Sequence, residues 1–135
     1  MGVRTTWDDP ARTTMRYIIE QPWTMDDLYR AADQMKADIQ AGNIPVPIGI
    51  ILDATRINSL PAGILQSTGP MIRRMQPEAR VIVVVSPQRF LKAMYDIFTR
   101  LYNAYGDTFQ FALTLDDART LIAERLGSRV SPSDH

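Results

Sequence analysis

Arg80-Val81-Ile82-Val83-Val84-Val85-Ser86-Pro87 decides the fold. A strand with one face in water alternates apolar and polar residues, whereas the unbroken run Val81–Val85 fits a strand covered on both faces. Ser86 is a helix-capping residue and Pro87 suits a first helical position, so a helix is expected to follow, over Pro87–Tyr105. The same pattern stands on either side. Pro47–Asp53, carrying Ile48, Ile50, Ile51 and Leu52, precedes a helix expected from about Pro61 to Met75. Phe109–Leu113 precedes one expected over Leu115–Leu126. Parallel neighbours need crossover connections, and each gap here holds one. The reading is an α/β fold with a mixed, mostly parallel sheet.

Toward the N-terminus, Val3–Trp7 and Thr13–Glu20 read as a hairpin around Asp8-Asp9-Pro10-Ala11-Arg12, where Asp and Pro favour a turn. In its second strand Met15, Tyr17 and Ile19 form one mostly buried face. Thr24 and Asp27 have the spacing of a capping box. Leu28, Ala31, Ala32, Met35 and Ile39 then follow the helical period up to a stop at Gly42. Gly69-Pro70 is expected to kink or split the 61–75 helix. Gly106 and Gly127 are the expected stops of the last two helices. The result is an N-terminal hairpin and four helices in one domain over 1–127, with a flexible tail over 128–135.

Composition narrows the function classes. Lys+Arg and Asp+Glu balance at 15 each, so no overall field draws nucleic acid or acidic membrane. There is no Cys, which removes disulfides, thiolate zinc sites and thiol nucleophiles. No stretch reaches the ~20 apolar residues of a membrane span, and Met1–Trp7 lacks the apolar core of a signal peptide. A cytoplasmic protein with neither nucleic-acid nor membrane partners is expected.

Catalytic signatures are absent from the sequence. The one His is the last residue, His135, and the glycines form no phosphate loop. The expectation is a protein that is not an enzyme and holds neither cofactor nor metal. Asp53 ends a central strand, where open α/β sheets place ligand crevices, or else it hydrogen-bonds the following turn. Ser59 lies just before the expected 61–75 helix, with Arg56 nearby. Its hydroxyl is placed either for a phosphate at a helix N-terminus or for a cap. Trp7, Trp23, Tyr17 and Phe90 either line a small-molecule pocket or fill the core. Tyr95, Tyr102 and Tyr105 form a stripe that would suit a partner surface.

The order strand, strand, helix, strand, helix, strand, helix, strand, helix is similar to the STAS domain of anti-sigma-factor antagonists, the SpoIIAA-like fold. Gly49-Ile50-Ile51-Leu52-Asp53 resembles that family's central strand ending in Asp. Arg80–Ser86 resembles its next strand, and Phe109–Leu113 with Thr114-Leu115-Asp116-Asp117-Ala118 resembles its last strand and helix start. The resemblance implies a non-enzymatic regulator that works through protein–protein interaction and is switched by phosphorylation. Ser59 is the match to the acceptor, with Asn58 where the family has an acid and Leu60 where it has a second hydroxyl. The implied partner is a protein such as a kinase or an anti-sigma-like regulator. A homodimer is the companion expectation, from zero net charge, an apolar 90–105 helix and a free hairpin edge. The alternative is a module for a nucleotide or apolar ligand at the carboxyl ends of the parallel strands, around Asp53, Arg56, Asn58, Ser59 and Ser86.

Overall fold

The computed structural model describes residues 2–129. A five-stranded sheet has the order β1 (Gly2–Trp7), β2 (Thr14–Glu20), β3 (Ile48–Asp53), β4 (Ala79–Val85), β5 (Phe109–Ala112). β1 and β2 form the antiparallel hairpin, and β2 through β5 run parallel. Four helices complete the fold: α1 (Met25–Gly42), α2 (Ile64–Met75), α3 (Arg89–Leu101) and α4 (Leu115–Arg129). The element order is the one expected from the sequence.

A sheet laid down strand after strand with right-handed crossovers puts every crossover helix on the same face. Accordingly the buried residues of α1, α2 and α3 share one core with Met15, Tyr17, Ile50, Leu52 and Ile82. α4 follows the last strand and covers the other face, where Ala118, Ile122 and Leu126 pack on Ile51, Val81, Val83 and Val85. β3, between two parallel neighbours and under helices on both faces, has every residue buried.

Local corrections have simple causes. The capping box is present: Thr24 Oγ1 accepts from Asp27 N–H at 3.2 Å and Asp27 Oδ2 accepts from Thr24 N–H at 2.9 Å. At the other end of α1, Asn43 (φ 49°) takes the left-handed position expected of Gly42. β2 buries Ile18 and Thr14 as well as its Met15 face, because it is an interior strand flanked by β1 and β3. α2 begins at Ile64, not Pro61, after Gly63 at φ 77°, and it continues through Pro70 without splitting.

α3 begins at Arg89, since Ser86 Oγ accepts from Gln88 N–H at 3.0 Å and closes a turn ahead of the helix. It ends at Leu101, four residues early. Tyr102 (φ −130°, ψ 60°) leaves helical geometry, and a separate 3₁₀ turn takes Asn103–Tyr105. α4 runs through Gly127 to Arg129. The remainder of the expected tail, with His135, lies outside the described residues.

Candidate functional site

The segment 54–63 that joins β3 to α2 has a polar side and an apolar side. Side chains alternate along β3, so Asp53 faces the same way as Ile51, toward the α4 side. Asp53 is fully buried. Its Oδ2 accepts from Arg16 Nε at 3.0 Å and Nη2 at 2.5 Å. Its Oδ1 accepts from Thr55 N–H at 3.1 Å and Thr55 Oγ1 at 2.6 Å. Burial pushes its carboxyl up, but the Thr55 hydroxyl, the Arg16 guanidinium and the Thr55 amide together hold it below the usual carboxylate range. The carboxylate fastens β3 to β2 and to its own following turn.

The other polar candidates lie apart from it. Arg56 is exposed and pairs with Glu20 at 2.9 Å, and the hydrogen bond from Arg56 pulls the Glu20 carboxyl down. Gln21 clamps the loop: its Oε1 accepts from Asn58 N–H at 3.0 Å, and its Nε2 donates to Ser59 Oγ at 3.1 Å. Ser59 is exposed and precedes Gly63, the N-cap of α2, so its hydroxyl is not that helix's cap. Ser86 is buried, and its N–H donates to Ala112 O at 3.2 Å. Among the described residues, no hydrogen bond or ion pair joins any two of Asp53, Arg56, Asn58, Ser59 and Ser86.

The apolar side of the same loop does converge on something. Ala54, Ile57 and Leu60 line a half-open cavity of about 80 Å³ between the loop, α2, α3 and the sheet. Ile19, Leu52 and Val84 bring in the carboxyl ends of β2, β3 and β4, and Trp23 adds a wall. α3 walls the space with Leu91, Met94, Tyr95 and Phe98. Leu91 and Phe98 are its buried residues, while Phe90, Ile97 and Leu101 stay 36–63% exposed. Aromatic contacts hold α3 against β5: Tyr95 lies 5.5 Å from both Phe109 and Phe111, and Phe98 lies 5.3 Å from Phe109.

Three lining side chains carry a hydrogen-bond donor. Thr68 Oγ1 donates to Ile64 O at 2.6 Å and Tyr95 OH donates to Phe109 O at 2.9 Å. The third, the Trp23 indole N–H, is buried without a protein acceptor. No Lys, Arg or His contributes to the lining.

Of the aromatic candidates, Trp23 lines the cavity. Tyr17 fills the core with its hydroxyl donating to Met35 Sδ at 3.2 Å, Trp7 packs partly buried against the core, and Phe90 points outward. The tyrosine stripe divides. Tyr95 turns in, Tyr105 OH accepts from Arg73 Nη1 at 2.6 Å, and Tyr102 is exposed. Ile57 and Leu60, two apolar residues three apart in a polar loop, were the sequence signal for the cavity. Arg16, Gln21 and Thr55 carried no such signal, because their partners are distant in sequence or depend on the turn.

No group of three or more His, Cys, Asp or Glu among the described residues could hold a metal ion. No described helix is long and apolar enough to cross a membrane. No protein-family model and no curated protein matches the sequence. The chain is similar in structure to an uncharacterized protein of the DUF3478 family from Shewanella loihica PV-4, described as having a SpoIIAA-like fold. The two are 15% identical over 90% of each chain, with a TM-score of 0.49.

Proposed function

We propose that this chain is a non-catalytic binding protein for a small apolar molecule, held between the 54–63 loop, α2 and α3. The cavity itself carries this reading. It is concave, lies against the carboxyl ends of three parallel strands and is walled almost wholly by aliphatic and aromatic side chains, as small-molecule sites are. The polar groups near it are engaged elsewhere. Asp53 faces the opposite side of the sheet in an ion pair, no carboxylate, His or Lys lines the space, and the Tyr95 hydroxyl in its wall donates to Phe109 O. The binding energy would come from apolar surface removed from water, at about 25 cal/mol per Å².

A thermal-shift titration with small neutral hydrocarbons and ketones tests it. Stabilisation that saturates with concentration in the parent, and vanishes when Ala54→Val fills the cavity, is the expected result. Identical responses of parent and variant would overturn the reading.

A second reading, regulation through a protein partner, draws on the exposed Phe90, Ile97 and Leu101 of α3 and on the accessible Ser59 hydroxyl. Ser59 modification would add nearly two negative charges beside the Gln21 clamp. In that reading Ser59→Asp weakens partner binding and Ser59→Ala leaves it intact. Equal partner binding by both variants would remove the phospho-switch.

A further inference from the structure

The two edges of the sheet are finished differently. β5 is short, and its Phe109 O already accepts from the Tyr95 hydroxyl at 2.9 Å. β1 is longer and open. Asp8 N–H donates to Thr14 O at 2.8 Å, and on the far side of β2 Gly49 N–H donates to Thr13 O at 2.9 Å. Hydrogen-bonded pairs alternate along an antiparallel ladder, so Gly2, Arg4 and Thr6 bond to β2, while Val3, Thr5 and Trp7 turn their N–H and C=O groups outward. Among the described residues, nothing bonds to those outward groups.

We propose that this edge pairs with the same edge of a second copy, antiparallel and about a two-fold axis at Thr5, joining the two sheets into one. Native proteins blunt open edges with Pro, Lys or a bulge. β1 has none of these: its register with β2 is unbroken over Gly2–Trp7, and Arg4 is its one charge. The edge is also self-complementary. With Thr5 opposite Thr5 of the second copy, Val3 stands opposite Trp7, and each such pair exchanges two hydrogen bonds. Val3 and Trp7 are only partly buried against their own core, so facing each other they make an apolar cross-strand pair. On the other face Arg4 stands opposite Thr6, so no like charges are opposed. The chain has zero formal net charge, which adds no long-range repulsion between copies. Val3, Thr5 and Trp7 do not line the cavity, so the inference is independent of the binding reading.

Sedimentation equilibrium of the full chain, from micromolar to millimolar concentration, tests it. The parent should reach the mass of two chains. Thr5→Lys and Thr5→Glu each set like charges opposite one another on the axis and should stay at the mass of one chain. Thr5 is half-buried at the edge, so both variants should fold, which circular dichroism checks. Mixed in equal amounts, the two variants should recover the two-chain mass, because opposite charges then face each other. A parent of one-chain mass at millimolar concentration would overturn the inference. So would single variants that pair as well as the parent, or a mixture that stays at one-chain mass.

Amide hydrogen exchange of the parent needs no variant. The amides of Val3, Thr5 and Trp7 should slow together as concentration rises, by about tenfold once about nine-tenths of the chains are paired. Unslowed exchange at these three amides in a sample of two-chain mass would place the contact elsewhere and overturn the inference.

Discussion

The two faces of the sheet are packed to different standards. Under α4, a methyl group on Gly49 would overlap Ile122 Cγ2, and Val81, Val83, Val85 and Ile51 are wholly buried. On the other face α1 and α2 close over β2 and β3, but α3 meets the sheet mainly through Leu91, Tyr95 and Phe98 and leaves a cavity beside it. One face is filled by protein. The other retains a cavity of about 80 Å³, and interiors packed to crystal density make such space uncommon. On the binding reading proposed above, incomplete packing marks the functional side of this molecule.

The largest expected effect tests the closed face. Val83→Asp would bury a carboxylate with no partner, so stability should fall by about 4 kcal/mol or more, read from chemical denaturation. A loss under about 1 kcal/mol would show that the face is not sealed. Gly49→Ala is subtler. Its one added carbon meets a β-branched side chain that cannot swing aside, and a cost of about 1–3 kcal/mol is expected. Shortening the obstacle with Ile122→Ala should reverse part of that cost, which a double-mutant cycle would measure.

Asp53 gives the closed face a dependence on pH. Its folded-state pKa is lowered, so its ionised form contributes stability above the unfolded value of about 4. That contribution is lost as the pH falls from there through the folded value. Asp53→Asn should cost about 1–3 kcal/mol at neutral pH and flatten the acid limb of the stability profile below about pH 4. A parallel profile for parent and variant would separate Asp53 from that limb.

The open face should behave in the opposite way to Gly49. Ala54 N–H donates to Val85 O at 2.9 Å, so the residue prolongs the ladder in a conformation that valine accepts. Ala54→Val adds two methyl groups toward the cavity, and its effect should lie within about 1 kcal/mol of zero or be stabilising. A cost as large as that of Gly49→Ala would mean that the cavity wall is as tight as the α4 face.

The order of elements was legible because it rests on patterns internal to each segment. Val81–Val85 reads as a two-sided strand from its own residues, and Thr24 with Asp27 reads as a capping box from their spacing. The limits of α2 and α3 were less legible. Pro61 and Pro87 each suit a first helical position, yet both precede their helices in turns, and that choice is made by the Gly63 backbone and the Ser86 hydroxyl. The polar candidates Asp53, Arg56, Asn58, Ser59 and Ser86 are close in sequence or at strand ends, but tertiary partners divide them. Arg16, Glu20 and Gln21 claim Asp53, Arg56 and the Asn58-Ser59 pair respectively. The cavity is built from residues of the 54–63 loop, α2, α3 and the sheet, which are far apart in sequence, so no local pattern encodes it.

The most direct test of the contrast between the faces is a methyl NMR titration of the intact protein with cyclopentanone. Shifts should be confined to Ile57, Leu60, Leu65, Leu91 and Met94, which line the cavity, while Ile51 and Val83 beneath α4, and Ile122 on α4 itself, stay in place. Shifts spread evenly over both sets, or centred on the α4 set, would contradict the account.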